Sequence, residues 1–313
     1  MLEHGGRLGE AARRYGIPRA DWLDLSTGIA PWSYPLPRTP TAVWQRLPEE
    51  EDGLEAAAQT YYGCARLLML PGSQAAIQWL PRLFPPGRVA MPDLLYNEHP
   101  AAWQACGHAL VGWNEPADYV VLCNPNNPTG ATHSRAALLE RARGVKLLVV
   151  DEAFIDAEPL ASLADCGLDN VVVLRSLGKF FGLAGARVGC AIGAPALLDR
   201  LREALGPWAV SHPARWAACL ALADCAWQAA QRERLCAASR RLTALLRASG
   251  LGAPTGCTLF QTIATPRAAE IFAALARQGI LVRAFTEPRA LRFGLPESAE
   301  QWQRLTACLK EIA

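Results

Sequence analysis

From Gly63 onward the sequence alternates between apolar runs of strand length and segments of helical periodicity, and this alternation limits the possible folds more than any other property of the chain. The runs cover 67–70, 88–91, 119–123, 146–150, 171–174 and 187–192, with helical segments at 73–83, 97–106, 134–143 and 195–205. A strand without polar alternation is covered on both faces. The pattern therefore predicts an α/β fold, a three-layer αβα large domain with a mostly parallel sheet. In such sheets ligands sit outside the carboxyl ends of the strands, so the loop after each run is where chemistry is expected.

The flanks read differently. A short helical pattern covers 7–15, a loop rich in Pro and Trp covers 29–40, and a helix is predicted over 49–62, where Leu54, Ala57, Ala58 and Tyr61 share a face. Past the alternating block, an Ala-rich helical stretch covers 207–249. Strands follow at 259–263 and 280–284 with a helix between them, then a strand at 291–293 and a last helix from Glu297. The predicted organisation is an N-terminal arm and loop over 1–40, a large domain over 41–210, and a smaller C-terminal α+β domain over 211–313.

Charge and cysteine usage exclude several classes. The 31 Lys and Arg residues nearly balance 29 Asp and Glu, for a formal charge of +2, without the basic excess of a nucleic-acid protein. The ten cysteines are scattered singly with no CxxC pair, so no zinc or redox motif is expected, and a reducing cytoplasm fits them. The N-terminal segment carries charge where a signal peptide needs an apolar core, and the least polar stretch, 183–198, contains Arg187 and does not read as a membrane span. Only three residues are lysines: Lys146, Lys179 and Lys310. His99, His108, His133 and His212 read as surface or capping residues, and no metal site is expected.

Four post-strand loops carry functional groups. Gly72-Ser73-Gln74 opens a helix, whose free N–H groups and positive dipole end suit a phosphate. Asn124-Pro125-Asn126-Asn127-Pro128-Thr129-Gly130 contains two Asn-Pro steps, which make a rigid extended loop that presents an amide. Asp151 closes an apolar strand, where a carboxylate is costly unless something cationic meets it. Lys179 lies between Leu177 and Phe180-Phe181, where desolvation frees an amine to attack carbonyls. A phosphate seat, an amide, a carboxylate and a lysine at successive strand ends are together explained by one aldehyde cofactor.

This combination resembles the fold type I pyridoxal-phosphate enzymes, in the aminotransferase class that includes histidinol-phosphate aminotransferase. The likeness spans about 24–296 and is most specific at Ser176-x-x-Lys179 with Arg187, and at 124–130. The resemblance implies pyridoxal 5'-phosphate as cofactor, a homodimer, and these roles. Lys179 bonds the cofactor aldehyde and shuttles protons at Cα. Asp151 pairs with the pyridine nitrogen, Asn127 donates to the phenolic oxygen, and Tyr96 stacks on the ring. Gly72, Ser73 and Gln74, with Ser176 and Arg187, hold the phosphate. Arg283 and Arg292 match positions that bind a substrate's phosphate and carboxylate.

A narrower likeness rests on His4-Gly5-Gly6, on Leu23-Asp24-Leu25-Ser26-Thr27-Gly28-Ile29 and on Asp151-Glu152-Ala153-Phe154-Ile155-Asp156. These resemble the threonine-phosphate decarboxylases of cobalamin biosynthesis. That family is implied to convert L-threonine O-3-phosphate to (R)-1-amino-2-propanol O-2-phosphate, with His4 reaching the substrate phosphate. Three positions depart from the wider pattern. Phe154 stands where many aminotransferases have Tyr, Leu47 replaces a Tyr that often crosses the dimer interface, and Ala30 replaces an Asn often used for the substrate carboxylate. Trp32, two residues on, is a candidate for lining the substrate pocket. Decarboxylase and aminotransferase share the cofactor constellation and differ in which Cα bond stands perpendicular to the ring, so the expected decarboxylase activity rests on the narrower likeness, with a histidinol-phosphate-type aminotransferase and a cofactor-free scaffold as the alternatives.

Overall fold

Pairing between strands follows the apolar runs closely. The computed structural model describes residues 4–312. In chain order its strands are β1 (Leu23–Asp24), β2 (Leu67–Leu70), β3 (Arg88–Met91), β4 (Ala109–Gly112), β5 (Tyr119–Cys123), β6 (Leu147–Asp151), β7 (Val171–Ser176), β8 (Gly189–Ile192), β9 (Pro254–Cys257), β10 (Phe260–Ala264), β11 (Ile280–Leu281), β12 (Arg283–Phe285) and β13 (Ala290–Gly294). The described residues fall into two units. The larger comprises Ser33–Asn127 and Thr132–Gln231; the smaller comprises the N-terminal residues to Trp32, the tetrapeptide Pro128–Ala131, and Arg232 onward.

The larger unit is built on a seven-stranded sheet in the order β2-β8-β7-β6-β5-β3-β4. The pairs among β7, β6, β5, β3 and β4 are parallel, and β8 runs antiparallel to both of its neighbours. β2, β5, β6 and β8 are buried at every position, as uninterrupted apolar runs require. Leu70, Val121, Val149, Val172 and Leu174 pack in one core with Trp103, Ile77 and Leu201 from the covering helices. Register puts Cys123 level with Asp151, and Asp151 level with Leu174, so the chemistry-bearing strand ends lie side by side.

Several boundaries differ from expectation for local reasons. β8 begins at Gly189 rather than 187, because Arg187 adopts a left-handed conformation (φ 55, ψ 53) that no strand accommodates. The helix expected over 73–83 is α-helical only across Ser73–Trp79 and tightens to a 3-10 turn over Leu80–Leu83, where Pro81 supplies no N–H donor. β4 was not expected; it is the partly exposed edge strand. The long C-terminal helical stretch is two helices, His212–Ala223 and Cys225–Ala248, broken at Asp224, whose carboxylate accepts from the Trp227 N–H at 2.9 Å.

The smaller unit carries a four-stranded antiparallel sheet, β12-β13-β10-β9, and a parallel pair, β1 with β11. The single strand expected over 280–284 splits at Val282: Ile280 and Leu281 pair with Leu23 and Asp24, whereas Arg283–Phe285 pairs with β13. Helices Ala268–Arg277 and Ala299–Ile312 complete this unit's α+β character. Among the described residues no helix is long and apolar enough to cross a membrane.

Candidate active site

Asp151 ends β6 almost fully buried, at 4% exposure. Its Oδ2 is hydrogen-bonded to His99 Nε2 at 3.0 Å, and its Oδ1 accepts from the Ala153 N–H at 3.0 Å. His99 stands on helix Glu98–Ala105 and is 1% exposed, so it is a buried partner of Asp151 rather than the surface or capping residue its sequence context suggests. His108 is likewise buried, with Nε2 at 3.0 Å from the Pro81 carbonyl. Beside Asp151, burial and the neighbouring carboxylate push the Cys123 thiol well above its ordinary range, so it stays neutral.

An anion seat forms where four segments converge. Gly72 (φ 78) caps helix Ser73–Trp79, and Ser73 is the first helical residue. A Cβ on Gly72 would stand 2.7 Å from Arg187 Nη2, and one on Gly189 would stand 2.6 Å from both the Ser73 nitrogen and the Arg175 carbonyl oxygen. The positive φ of Gly72 and the backbone contacts at Gly189 thus require glycine at both positions. The left-handed Arg187 is held in a sparsely populated conformation of the kind that clusters at ligand sites. Ser176 Oγ accepts from the Gly178 N–H at 3.3 Å and fixes the turn leading to Lys179. Helix-terminal N–H groups, a guanidinium and two hydroxyls fit a phosphate monoester.

Tyr96 is anchored over the same region. Its hydroxyl donates to Gln74 Oε1 at 3.3 Å, and Gln74 Nε2 donates to Glu98 Oε2 at 2.8 Å, which also accepts from Gln78 Nε2 at 3.1 Å. The Gln74 side chain therefore links Tyr96 to Glu98 from the first turn of the helix. Burial, then Glu98 and Asp151, push the Tyr96 hydroxyl up to about 12, and it remains a donor at any working pH.

The rigid Asn-Pro loop is tied at both ends. The Asn124 N–H donates to the Asp151 carbonyl at 2.8 Å, the Asn124 side chain pairs with the His133 backbone at 3.2 and 2.8 Å, and Asn126 Nδ2 donates to the Leu94 carbonyl at 2.9 Å. Asn127 follows, half-buried. Lys179 is half-buried among buried Leu177, Phe180 and Phe181, with Nζ 5.4 Å from the centre of the Phe154 ring. Phe181 stacks on Trp227 at 5.7 Å, and its carbonyl accepts from the Tyr34 N–H at 2.8 Å. The larger unit therefore holds Gly72, Ser73, Gln74, Tyr96, Asn127, Asp151, Ser176, Lys179 and Arg187 at or next to the carboxyl ends of its strands.

The smaller unit holds the remaining candidates. Arg292 is buried, donates from Nη2 to the Ser26 carbonyl at 3.0 Å, and lies 5.0 Å over the Phe260 ring. Arg283 is its direct cross-strand partner. Two cations at facing positions repel, which suits a site for an anion. Ser26 is also the latch for the N-terminal glycines: the Gly6 N–H donates to its Oγ at 2.7 Å, and a Cβ on Gly5 would stand 2.3 Å from its carbonyl oxygen. His4, Arg7, Arg14, Ser26 and Arg283 line a cavity of about 240 Å³ within this unit. Ala30 is buried, and Trp32 donates to the Glu297 carbonyl at 3.3 Å under the Arg234 guanidinium, 3.8 Å from its ring.

Two features escaped the sequence reading. One is His99, in the first turn of the helix that follows Tyr96, where its N–H donates to the Tyr96 carbonyl at 3.0 Å. The other is a buried ion cluster of Arg175, Glu152 and Asp156.

Residues 48–311 match the family model described as aminotransferase class I and II. The chain is 53% identical to the threonine-phosphate decarboxylase of Pseudomonas aeruginosa, over 99% of this chain and 97% of that one. It is 40% identical to the threonine-phosphate decarboxylase of a Sinorhizobium species, over 99% and 98%. In structure it is similar to histidinol-phosphate aminotransferase from Sinorhizobium meliloti in complex with pyridoxal-5'-phosphate, with a TM-score of 0.84 at 22% identity, covering 99% of this chain and 95% of that one.

Proposed function

The chain belongs to the aminotransferase class I and II family, and from that premise we propose that it is a pyridoxal 5'-phosphate-dependent lyase that decarboxylates L-threonine O-3-phosphate to (R)-1-amino-2-propanol O-2-phosphate in cobalamin biosynthesis. The observation that carries this reading is the gathering of Lys179, Asp151, Asn127, Tyr96 and the Gly72–Ser73–Arg187 seat at strand ends of one sheet, in a chain that matches two threonine-phosphate decarboxylases end to end. The cofactor, when bound, supplies an electron sink for the charge left on Cα when a bond to it breaks.

The chain's own residues do the rest. Arg187, Ser73 and Ser176 would hold the cofactor phosphate by charge-assisted hydrogen bonds. Asp151, aligned by His99, would pair with the ring nitrogen. Asn127 would donate to the phenolic oxygen and Tyr96 would cover the ring. Lys179 Nζ would tether the cofactor aldehyde and carry protons to and from Cα. His4 and Arg283 receive the substrate phosphate. Arg292 would bind the substrate carboxylate, and how it orients that group would decide which bond to Cα breaks. Ala30 removes the side chain that would otherwise reach the carboxylate, and Trp32 lines the pocket beside it.

We place the enzyme in the cytoplasm as a homodimer. Ten free cysteines support the compartment, and exposed Trp44, Leu47 and Trp208 on the larger unit support a subunit interface. Incubation with threonine phosphate, and separately with histidinol phosphate plus 2-oxoglutarate, decides the reaction. Carbon dioxide from the first is expected; glutamate from the second instead would make the enzyme an aminotransferase. A colourless protein that ignores added cofactor would make it a scaffold.

A further inference from the structure

Strand alternation sends Asp151, Leu174 and Ser176 to one face of the sheet and Glu152 and Arg175 to the other. The ladder continues one step past β6, since the Glu152 N–H donates to the Leu174 carbonyl at 2.9 Å. On this second face Arg175 Nη1 meets Glu152 Oε2 at 3.1 Å and Nη2 meets Asp156 Oδ1 at 2.6 Å. All three residues are 2% exposed or less. Glu152 also accepts from the Ser162 hydroxyl, and from the Leu163 N–H at 2.8 Å. Asp156 accepts from the Tyr61 hydroxyl at 3.0 Å, and the Arg175 guanidinium lies 4.5 Å over the Tyr62 ring. The Tyr61 ring in turn packs 5.4 Å from Phe181, two residues past Lys179.

We propose that Arg175, Glu152 and Asp156 are positioning residues: a buried clamp, on the face of the sheet opposite the site, that fixes the ends of β6 and β7 and, through Tyr61, the lysine segment. Each member stands next to a residue of the proposed cofactor site or is linked to one: Glu152 follows Asp151, Arg175 precedes Ser176, and Asp156 reaches the Lys179 segment by way of Tyr61 and Phe181. The inference rests on the cofactor site proposed above.

Stability alone does not account for the cluster. A buried ion triad is often replaceable by neutral groups of similar shape without loss of stability, and here Arg175 Nε remains buried without a hydrogen-bond partner. Burial pushes the Glu152 carboxyl up, whereas Asp156 and Glu152 overcome the burial of Arg175 and keep it charged. What the guanidinium contributes is its planar fork, which sets two carboxylates at one fixed spacing. A misplacement of about 1 Å at a reacting group costs up to ~100-fold in rate, so a clamp of this kind acts on turnover.

The test separates position from stability. The triple variant Arg175→Met/Glu152→Gln/Asp156→Asn keeps side-chain volume and removes every uncompensated charge. The milder Asp156→Asn keeps Arg175 paired with Glu152 and is measured in parallel, in case the triple variant does not fold. Each is assayed as holoenzyme for thermal midpoint, for kcat and KM with threonine phosphate, and for the pH midpoint of the bound cofactor's absorbance. The expectation is a folded holoenzyme whose kcat falls about 10- to 100-fold, with KM little changed and a displaced absorbance midpoint. Wild-type kcat and an unmoved midpoint, with or without a lower thermal midpoint, would overturn the proposal. Failure of the underlying site reading looks different: the wild-type protein itself would then show no cofactor absorbance.

Discussion

His99 Nε2 and Asp151 Oδ2 share a hydrogen bond of 3.0 Å across 52 residues of sequence, with both side chains almost wholly removed from water. The bond leaves Asp151 one other protein donor, the Ala153 N–H. Replacing His99 by Ala leaves one oxygen of a buried carboxylate unsatisfied, which costs about 1–3 kcal/mol. The expected outcome is a 5- to 150-fold loss, at ~1.4 kcal/mol per decade, divided between cofactor affinity and kcat. Titration of the apoenzyme with cofactor and steady-state kinetics measure the two parts. His99→Gln, which restores a donor, should recover some of the loss, and unchanged affinity and kcat in His99→Ala would remove His99 from the site.

Lys179→Arg tests the nucleophile. Arginine keeps a positive charge and a side chain of similar reach, but its guanidinium cannot be deprotonated in a protein and cannot bond an aldehyde. The half-buried position among Leu177, Phe180 and Phe181 tolerates the change, so the thermal midpoint should move little. Turnover should fall by at least ~100- to 10,000-fold, the usual contribution of a positioned proton-transfer group. Borohydride should no longer fix the chromophore to the chain. Normal turnover in this variant would mean that another amine does the work.

The two residues also show what the sequence discloses and what it hides. Lys179 and Asp151 were legible because each ends or follows an apolar run, where a charged group has no packing reason to be. β2 and β5 coincide with their runs because strands buried on both faces leave no polar interruption, and β3 does so with only its first residue, Arg88, exposed. β4 was hidden because an edge strand is half-solvated and needs no such run. The break at Val282 was hidden because β11 and β12 choose different partners, β1 and β13, and that choice is tertiary. Arg175 fell outside the expected strand over 171–174, and its alternation toward Glu152 is visible only once β7 extends to Ser176. For His99, the helical period gives a face but not the carboxylate it meets.

Acid should reveal a separate tie within the larger unit. Arg215 forks onto Asp52 at 2.7 and 2.7 Å and reaches Glu55 at 2.6 Å, joining the start of helix Leu54–Tyr62 to helix His212–Ala223. Burial alone would raise the Asp52 carboxyl, but its bonds to Arg215 and the Leu54 N–H outweigh it and hold it below 3.8. A depressed folded-state pKa gives stability that is full above the unfolded value and fades as pH falls through the folded one. Wild type should therefore exceed Asp52→Asn by about 1–2 kcal/mol from pH 5 to 8, and the gap should narrow progressively as pH falls below about 4. Chemical denaturation at stepped pH checks this. A gap that does not shrink between pH 5 and pH 3 would show that shape, not charge, makes the contact.

Phe154 supplies the last prediction. It is buried, it lies under Lys179 Nζ at 5.4 Å, and it lacks the hydroxyl that many aminotransferases carry there. A hydroxyl at this position would donate to the phenolic oxygen of the bound cofactor and stabilise its negative charge, so the nearby nitrogen would hold its proton less tightly. Phe154→Tyr should therefore shift the pH midpoint of the chromophore downward, while wild type keeps the protonated, amine-reactive form to higher pH. The aromatic ring remains in place, so cofactor affinity should not fall. Absorbance titrations of the two holoenzymes between pH 5 and 10 decide it, and superimposable curves would show that the missing hydroxyl does not tune the site.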